Sequence, residues 1–594
     1  MQSFSKAVLC VMAVAILGSA SGCQKESAQF AVITPEVTPE SKSIDKVISY
    51  FDINHPVVGR KGMVASQSAI ASEIGAEVLR QGGNAVDAAV AMGYALTVVL
   101  PRAGNLTGGG FMLVYLPKQQ KTIAIDYRES APATSSHNMF LDKHNKVDQF
   151  KVLESLLASG VPGTVMGLEH ALKHYGTMKL SQLIHPSIDL ASQGFNVTDD
   201  MVRIMAKENE RLSQNPETCR VFFKENCKPY QAGDVFVQKD LANTLVYLSE
   251  QGAKGFYEGD IATKIVAAME RGNGLITQED LAHYEVDEVT PLKGSFNGYD
   301  IFTMPPPSSG GVHLIQMLNM FATLPLDNVA QGSANLMHYQ TEIFKRAYAD
   351  RSVFLGDPDF VEMPLAGLMS DNYAIKSTQQ ISGNRITPSS EIAVGNPAAY
   401  ESPDTTHFSV IDSKGMMVSN TYTLNHYYGN GITIEGTGLL MNNTMDDFSA
   451  KPGTPNSYGL VGGEANAIAP NKKPLSSMTP TLILKDGKPF LATGTPGGSK
   501  IITTVFQQLV NILWFDMNIS EATNAPRIHH QWQPDILFVE QNIPADTIER
   551  LQSKGYQLEI STSLGSLQTV MFNKGLYYGA SDPRRPNAKA VAVN

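Results

Sequence analysis

The chain of 594 residues carries 46 lysines and arginines against 57 aspartates and glutamates, a formal charge of −11 at pH 7, and no dense basic run, which argues against a nucleic-acid partner. A hydrophobic share of 43% beside 17% charged residues is enough for a sizeable core. The length exceeds one ordinary domain, so the chain reads as two domains or one large two-part core.

Residues 1 to 23 have the form of an export signal: Lys6 supplies the positive start, Ala7 to Leu17 the apolar run, and Gly18 to Gly22 the small residues. The apolar run is too short for a permanent membrane span. Ala20-Ser21-Gly22-Cys23 resembles a bacterial lipobox, with Ala20 where leucine is commoner, so Cys23 is expected to carry lipid; an ordinary cleaved signal is the alternative. Residues 24 to 55, rich in Ser, Glu, Pro and Lys, read as a flexible tether.

Ordered structure is expected from near Gly62. Ile70, Ile74 and Val78 recur at helical spacing and Gly82-Gly83 stops that helix; Asn84 is placed to cap a second one running through Val86 and Val90 toward Pro101. Phe111 to Leu116 and Lys121 to Tyr127 flank a short polar link and read as a hairpin, with Arg128 at its exit. From Leu153 to about Ile381 the spacing is mostly helical, an outer layer broken by glycine and proline segments at 160–163 and 305–311, the latter read as a plain turn with the lining of a cleft as the alternative. Cys219 and Cys227, eight residues apart with no histidine nearby, read as a local disulfide in an oxidising compartment rather than a metal site, free thiols being the alternative.

Residues 384 to 404 lack periodicity and carry several prolines, as a loop open to cutting would. Two hairpins follow, His407 to Asp412 with Met416 to Asn425 and Thr481 to Lys485 with Pro489 to Thr493, then a buried helix over Ile501 to Phe515. Alternation puts Thr405, His407 and Ser409 on one strand face, Thr406 and Phe408 on the other. Hydroxyls this dense fit a β-branched strand on packing grounds alone. They also fit a nucleophile: a threonine hydroxyl needs a base beside it, and cutting the chain before the residue frees its own α-amine for that role. Hairpins in both segments with helices between them predict an α+β fold of two antiparallel sheets face to face, covered by helices.

Thr405-Thr406-His407-Phe408-Ser409 running into Thr421-Tyr422-Thr423-Leu424-Asn425 resembles the signature of the γ-glutamyltranspeptidases. The resemblance continues through 105–111, Asp126-Tyr127-Arg128-Glu129, Asn442 to Phe448, Pro474 to Met478 and Gly494 to Gly498, and covers the chain from about Gly59 onward. It implies the four-layer αββα sandwich of the N-terminal nucleophile hydrolases, needing no cofactor and no metal. The precursor would cut itself between Asp404 and Thr405 into a large subunit, 56–404 with its leader, and a small catalytic subunit, 405–594, held as a heterodimer. The resemblance makes Thr405 the nucleophile, Thr423 its assistant and Gly497 and Gly498 the oxyanion hole. Arg128, Ser476 and Ser477 become ligands of a glutamyl α-carboxylate, Asn425, Asp447 and Thr444 of its ammonium, and Tyr458 part of a lid. Thr444 departs from the pattern, standing where relatives carry glutamine or glutamate, which shortens one ammonium ligand; Met416 replaces a small polar residue, a matter of packing.

The implied activity is cleavage of glutathione and other γ-glutamyl compounds, the acyl group passing to water or to an amino acid. The implied place is the periplasm or the outer side of a bacterial inner membrane, with membrane contact through the lipid alone. Three other readings compete with this one. A phosphate loop at 494–501 lacks the needed glycine at Ser499 and the Ser/Thr at Ile501. A cephalosporin-type acylase of the same fold would lack parts of the glutamyl clamp that Arg128 and Asp447 supply. An uncut, lipid-anchored binding protein would run as one chain on a gel.

Overall fold

Two seven-stranded antiparallel sheets carry the fold in the computed structural model, which describes residues 52–392, 405–452 and 463–594. Asp404, Tyr458 and Cys23 lie outside the described residues. The first sheet has Thr405–Ile411 and Met417–Thr423 near its centre, flanked on one side by Gly62–Ser66 and Lys589–Val593 and on the other by Gly109–Leu116, Lys121–Tyr127 and Asp287–Val289. The second runs Val57–Gly59, Leu576–Ser581, Gln568–Asn573, Lys488–Thr493, Thr481–Lys485, Tyr299–Thr303, Leu292–Phe296.

The period-2 alternation of the central strand decides which face meets what. Ser409 and, from the neighbouring strand, Ser419 turn toward the second sheet and donate to the Gln568 and Thr493 carbonyls at 3.0 and 2.9 Å. Phe408 and Val410 point the other way and pack with Val64, Val114 and Tyr422 against helices Ala69–Arg80 and Ala85–Val99. Asn84 caps the second of these, its side chain accepting from the Val86 and Asp87 amides. The far face of the second sheet is covered by helices Ser309–Ala322, Ala334–Phe354 and Lys500–Leu513, with Leu314, Phe344 and Phe506 in their shared core. The result is the expected αββα sandwich, built as one core in two halves.

The stretch from Leu153 to Ile381 is not helical throughout. Asp287–Val289, Leu292–Phe296 and Tyr299–Thr303 are strands that finish one edge of each sheet. Lys293 and Ser295 are exposed, and Gly294 lies under Ile315, leaving no room for a Cβ; such a short, half-solvated edge gives little apolar signal. The tether boundary also moves: the backbone amides of Ile53 and Asn54 donate to Glu521 at 2.6 and 2.7 Å, and Val57–Gly59 pairs with Tyr577–Gly579, so residues 52–55 are held to the body. Cys219, in the helix Pro216–Phe222, is bridged to Cys227 with the Cα atoms 5.2 Å apart.

Candidate active site

The central strand begins with Thr405, directly opposite Thr423 in the antiparallel register. Their hydroxyl oxygens are 3.5 Å apart, and Thr423 Oγ1 accepts from the Asn425 amide at 2.9 Å, which fixes its orientation. Asn425 has φ +78°, a left-handed turn that carries the chain off the strand, and its side chain donates to the Asn443 carbonyl at 3.1 Å. Hairpin geometry alone therefore brings three of the anticipated residues together.

These three line one small, polar cavity with Arg128, Asp447, Ser476, Ser477, Met478, Gly498 and Ile501. Arg128, at the exit of the strand Lys121–Tyr127, is fully buried. Its Nη2 donates to Asp447, its Nη1 to Glu129 at 3.2 Å and its Nε to the Pro474 carbonyl at 3.2 Å. A buried guanidinium needs this many acceptors, because an uncompensated charge in a low dielectric is expensive. Burial pushes both Glu129 and Asp447 above the usual carboxylate range, while Arg128 pulls each back.

Gly497 and Gly498 have φ +139° and +56° at the turn into the helix Lys500–Leu513, conformations that side chains rarely adopt. Among the described residues neither glycine amide has an acceptor. Two unused N–H donors beside a helix N-terminus, with Gly498 and Ile501 on the cavity wall, suit an oxygen that gains negative charge. His407, one strand position from Thr406, is fully buried between the Thr421 and Ser409 hydroxyls, and burial pulls its pKa down to about 3. Both partners lie in the first sheet, so His407 braces the central hairpin as a neutral ring.

Thr444 sits behind the clamp. Its hydroxyl donates to Glu129 Oε1 at 2.7 Å, and the residue is fully buried and absent from the cavity lining. Its hydroxyl thus serves the carboxylate behind Arg128. Glu129 has no role in the resemblance, although a carboxylate next to an arginine at a strand exit is a legible sign of a shared buried charge site. Thr444→Val is therefore expected to leave Glu129 short of a buried donor and to cost about 1–3 kcal/mol of stability. Urea unfolding of the uncut Thr405→Ala chain reads this, and an unchanged midpoint would assign the hydroxyl another role.

Two sheets face to face between helical layers, with a threonine at the head of a central strand, define an N-terminal nucleophile hydrolase. Within that class the chain belongs to the gamma-glutamyltranspeptidase family, whose model matches residues 71–592. It is 49% identical over 555 residues to a glutathione hydrolase proenzyme of Escherichia coli (strain K12), covering 93% of this chain and 95% of the relative. Among solved structures it is similar to the γ-glutamyltranspeptidase of Helicobacter pylori, with 44% identity and a TM-score of 0.55 over 59% of this chain and 97% of that one. A cephalosporin acylase from Bacillus halodurans, 24% identical, shares the fold at a TM-score of 0.81 over 94% of this chain and 100% of that one.

Proposed function

We propose that the chain is a self-processing γ-glutamyl acyl hydrolase and transferase with glutathione among its substrates. The observation that carries this is the single cavity joining Thr405 and Thr423 to Arg128, Asp447, Ser476, Ser477 and Gly498. The E. coli relative, a proenzyme named for glutathione hydrolysis, supports the substrate class.

In the precursor, the Thr405 hydroxyl oxygen attacks the Asp404 carbonyl carbon, the peptide C–N bond breaks to leave an ester, and water hydrolyses that ester. The products are a new carboxylate on Asp404 and a free α-amine on Thr405, and the two chains stay together as a heterodimer. In the mature enzyme the Thr405 amine takes the hydroxyl proton as Oγ1 attacks the γ-carbonyl of the substrate. The Gly497 and Gly498 amides donate to the oxyanion, the proton passes to the departing amine, and water or an amino acid then takes the γ-glutamyl group from Thr405. Thr423, whose hydroxyl already accepts from Asn425, keeps Thr405 Oγ1 pointed along the attack line.

The clamp works by ion-pair exchange. Arg128 and Asp447 are paired with each other. A substrate that carries both an α-carboxylate and an α-ammonium enters between them, the carboxylate to Arg128, Ser476 and Ser477 and the ammonium to Asp447 and Asn425, so that no buried charge loses its counter-charge. A side chain without those two charges would leave the Arg128–Asp447 pair closed and gain nothing from either residue, and this favours the γ-glutamyl reading over the cephalosporin-type one. Glutathione incubated with the purified protein should yield glutamate and cysteinylglycine; intact glutathione after prolonged incubation of the cut protein would overturn the reading.

The lipobox-like sequence supports a lipid on Cys23, with the protein exported to the periplasm and held at the membrane by that lipid. No helix of the described residues is long and apolar enough to cross a membrane. Cys23→Ala should move the protein from the membrane fraction to the soluble one; unchanged partitioning would remove the anchor from the account.

A further inference from the structure

The loop 305–311 reads from sequence as a plain turn, and the helix Ala334–Phe354 as outer cover. The structure gives them a second relation, to the wall of the cavity. The Ser309 amide and hydroxyl both donate to the Ser476 carbonyl, at 2.7 and 2.8 Å, and the Ser476 amide donates to the Pro307 carbonyl at 2.8 Å. Ser308 Oγ donates to the Met478 carbonyl at 2.6 Å. Gly310 is pressed so close that a Cβ there would lie 2.2 Å from Thr479 Oγ1. The backbone of Ser476 to Met478 is thus fastened on both sides.

From the helix, Arg351 Nε donates to Ser309 Oγ at 2.8 Å and Nη2 to Ser477 Oγ at 3.0 Å, with the residue 6% exposed. One turn earlier, the Tyr348 hydroxyl donates to the carbonyl of Ser499, the residue after Gly498. One rigid helix therefore holds both the serine wall and the glycine turn, which come from segments of the chain more than a hundred residues away.

We infer that Arg351 and Tyr348 are positioning residues for the reaction, Arg351 setting the direction of the Ser477 hydroxyl and Tyr348 setting the plane of the glycine turn. The chemistry follows from donor counts. A guanidinium has only donors, so Ser477 can meet Arg351 only as an acceptor. Its single proton then points away from the guanidinium, and the residue lines the cavity, where an α-carboxylate needs a donor. Arg351 also adds positive potential felt at Asp447. Tyr348 acts on the other wall: with the Ser499 carbonyl held, the peptide units of Gly497 and Gly498, free of any Cβ constraint, lose the rotation their φ values would allow. The first contact acts on substrate in the ground and transition states alike, the second only on the oxyanion, so the two should separate in KM and kcat.

This inference rests on the γ-glutamyl reading. The test measures self-cleavage by gel and steady-state hydrolysis of a γ-glutamyl anilide for the wild type, Arg351→Gln, Arg351→Lys and Tyr348→Phe. Glutamine can offer Ser477 an acceptor and reverse its hydroxyl, so self-cleaved Arg351→Gln should raise KM about tenfold or more with kcat within about threefold. Lysine, donor-only like arginine, should recover part of that loss. Tyr348→Phe should lower kcat about tenfold at unchanged KM. Wild-type constants in the self-cleaved variants would overturn the inference, as would a lysine variant no better than glutamine together with a Tyr348→Phe change confined to melting temperature. Should Arg351→Gln not fold, Arg351→Lys and Tyr348→Phe decide by the same constants. A wild type that cuts itself but leaves the anilide intact would instead refute the γ-glutamyl reading itself.

Discussion

Thr405→Ala should remain one uncut chain and lose γ-glutamyl hydrolysis by at least about a thousandfold, since the residue is assigned both nucleophile and, through its amine, base. The substitution removes a hydroxyl and a methyl from a residue 8% exposed at a strand end, so the fold should survive. Thr405→Ser keeps the hydroxyl and should cut itself more slowly and retain partial activity. The readout is a denaturing gel beside a rate assay. A Thr405→Ala chain that still splits at the same bond would move the nucleophile elsewhere.

Arg128→Ala and Asp447→Ala should each cut themselves normally yet lose roughly thirtyfold to several thousandfold in kcat/KM, the equivalent of about 2–5 kcal/mol for breaking one partner of a desolvated charge pair. The mechanism differs between them. Without Arg128, Glu129 and Asp447 lose the charge that pulls both carboxyls back toward the ionised form, and the substrate carboxylate loses its guanidinium, so carboxylate binding fails. Without Asp447, Arg128 still has Glu129 and the Pro474 carbonyl, so the carboxylate is held but the ammonium is not. A substrate analogue lacking the α-amino group should therefore be nearly indifferent to Asp447→Ala. Equal losses for both substrates would mean Asp447 acts only by orienting Arg128.

Local signals in the sequence carried much of this. Alternation in 405–409 put Thr405, His407 and Ser409 on the face that meets the second sheet, and Asn84 stood at the cap it occupies. The hairpin of Lys121–Tyr127 placed Arg128 at a strand exit because strand length and link length fix where the chain emerges. What was not legible is long-range. Ser477 and Arg351 are 126 residues apart in sequence, and neither carries a pattern that names the other. The loop 305–311 has the composition of any turn, and its use as a brace for Ser476 follows only from which surface it lands on. The bond from Thr444 to Glu129 joins residues 315 apart and shows only once the backbone is placed.

The central claim is that Thr405 carries the acyl group. Mass spectrometry of the enzyme quenched in acid during turnover tests it directly. The expected result is a small chain beginning at Thr405, part of it heavier by one glutamyl residue, with the added mass on the N-terminal peptide and absent when Thr405→Ala is treated alike. A fragment with a different N-terminus, or an adduct on any other residue, would contradict it.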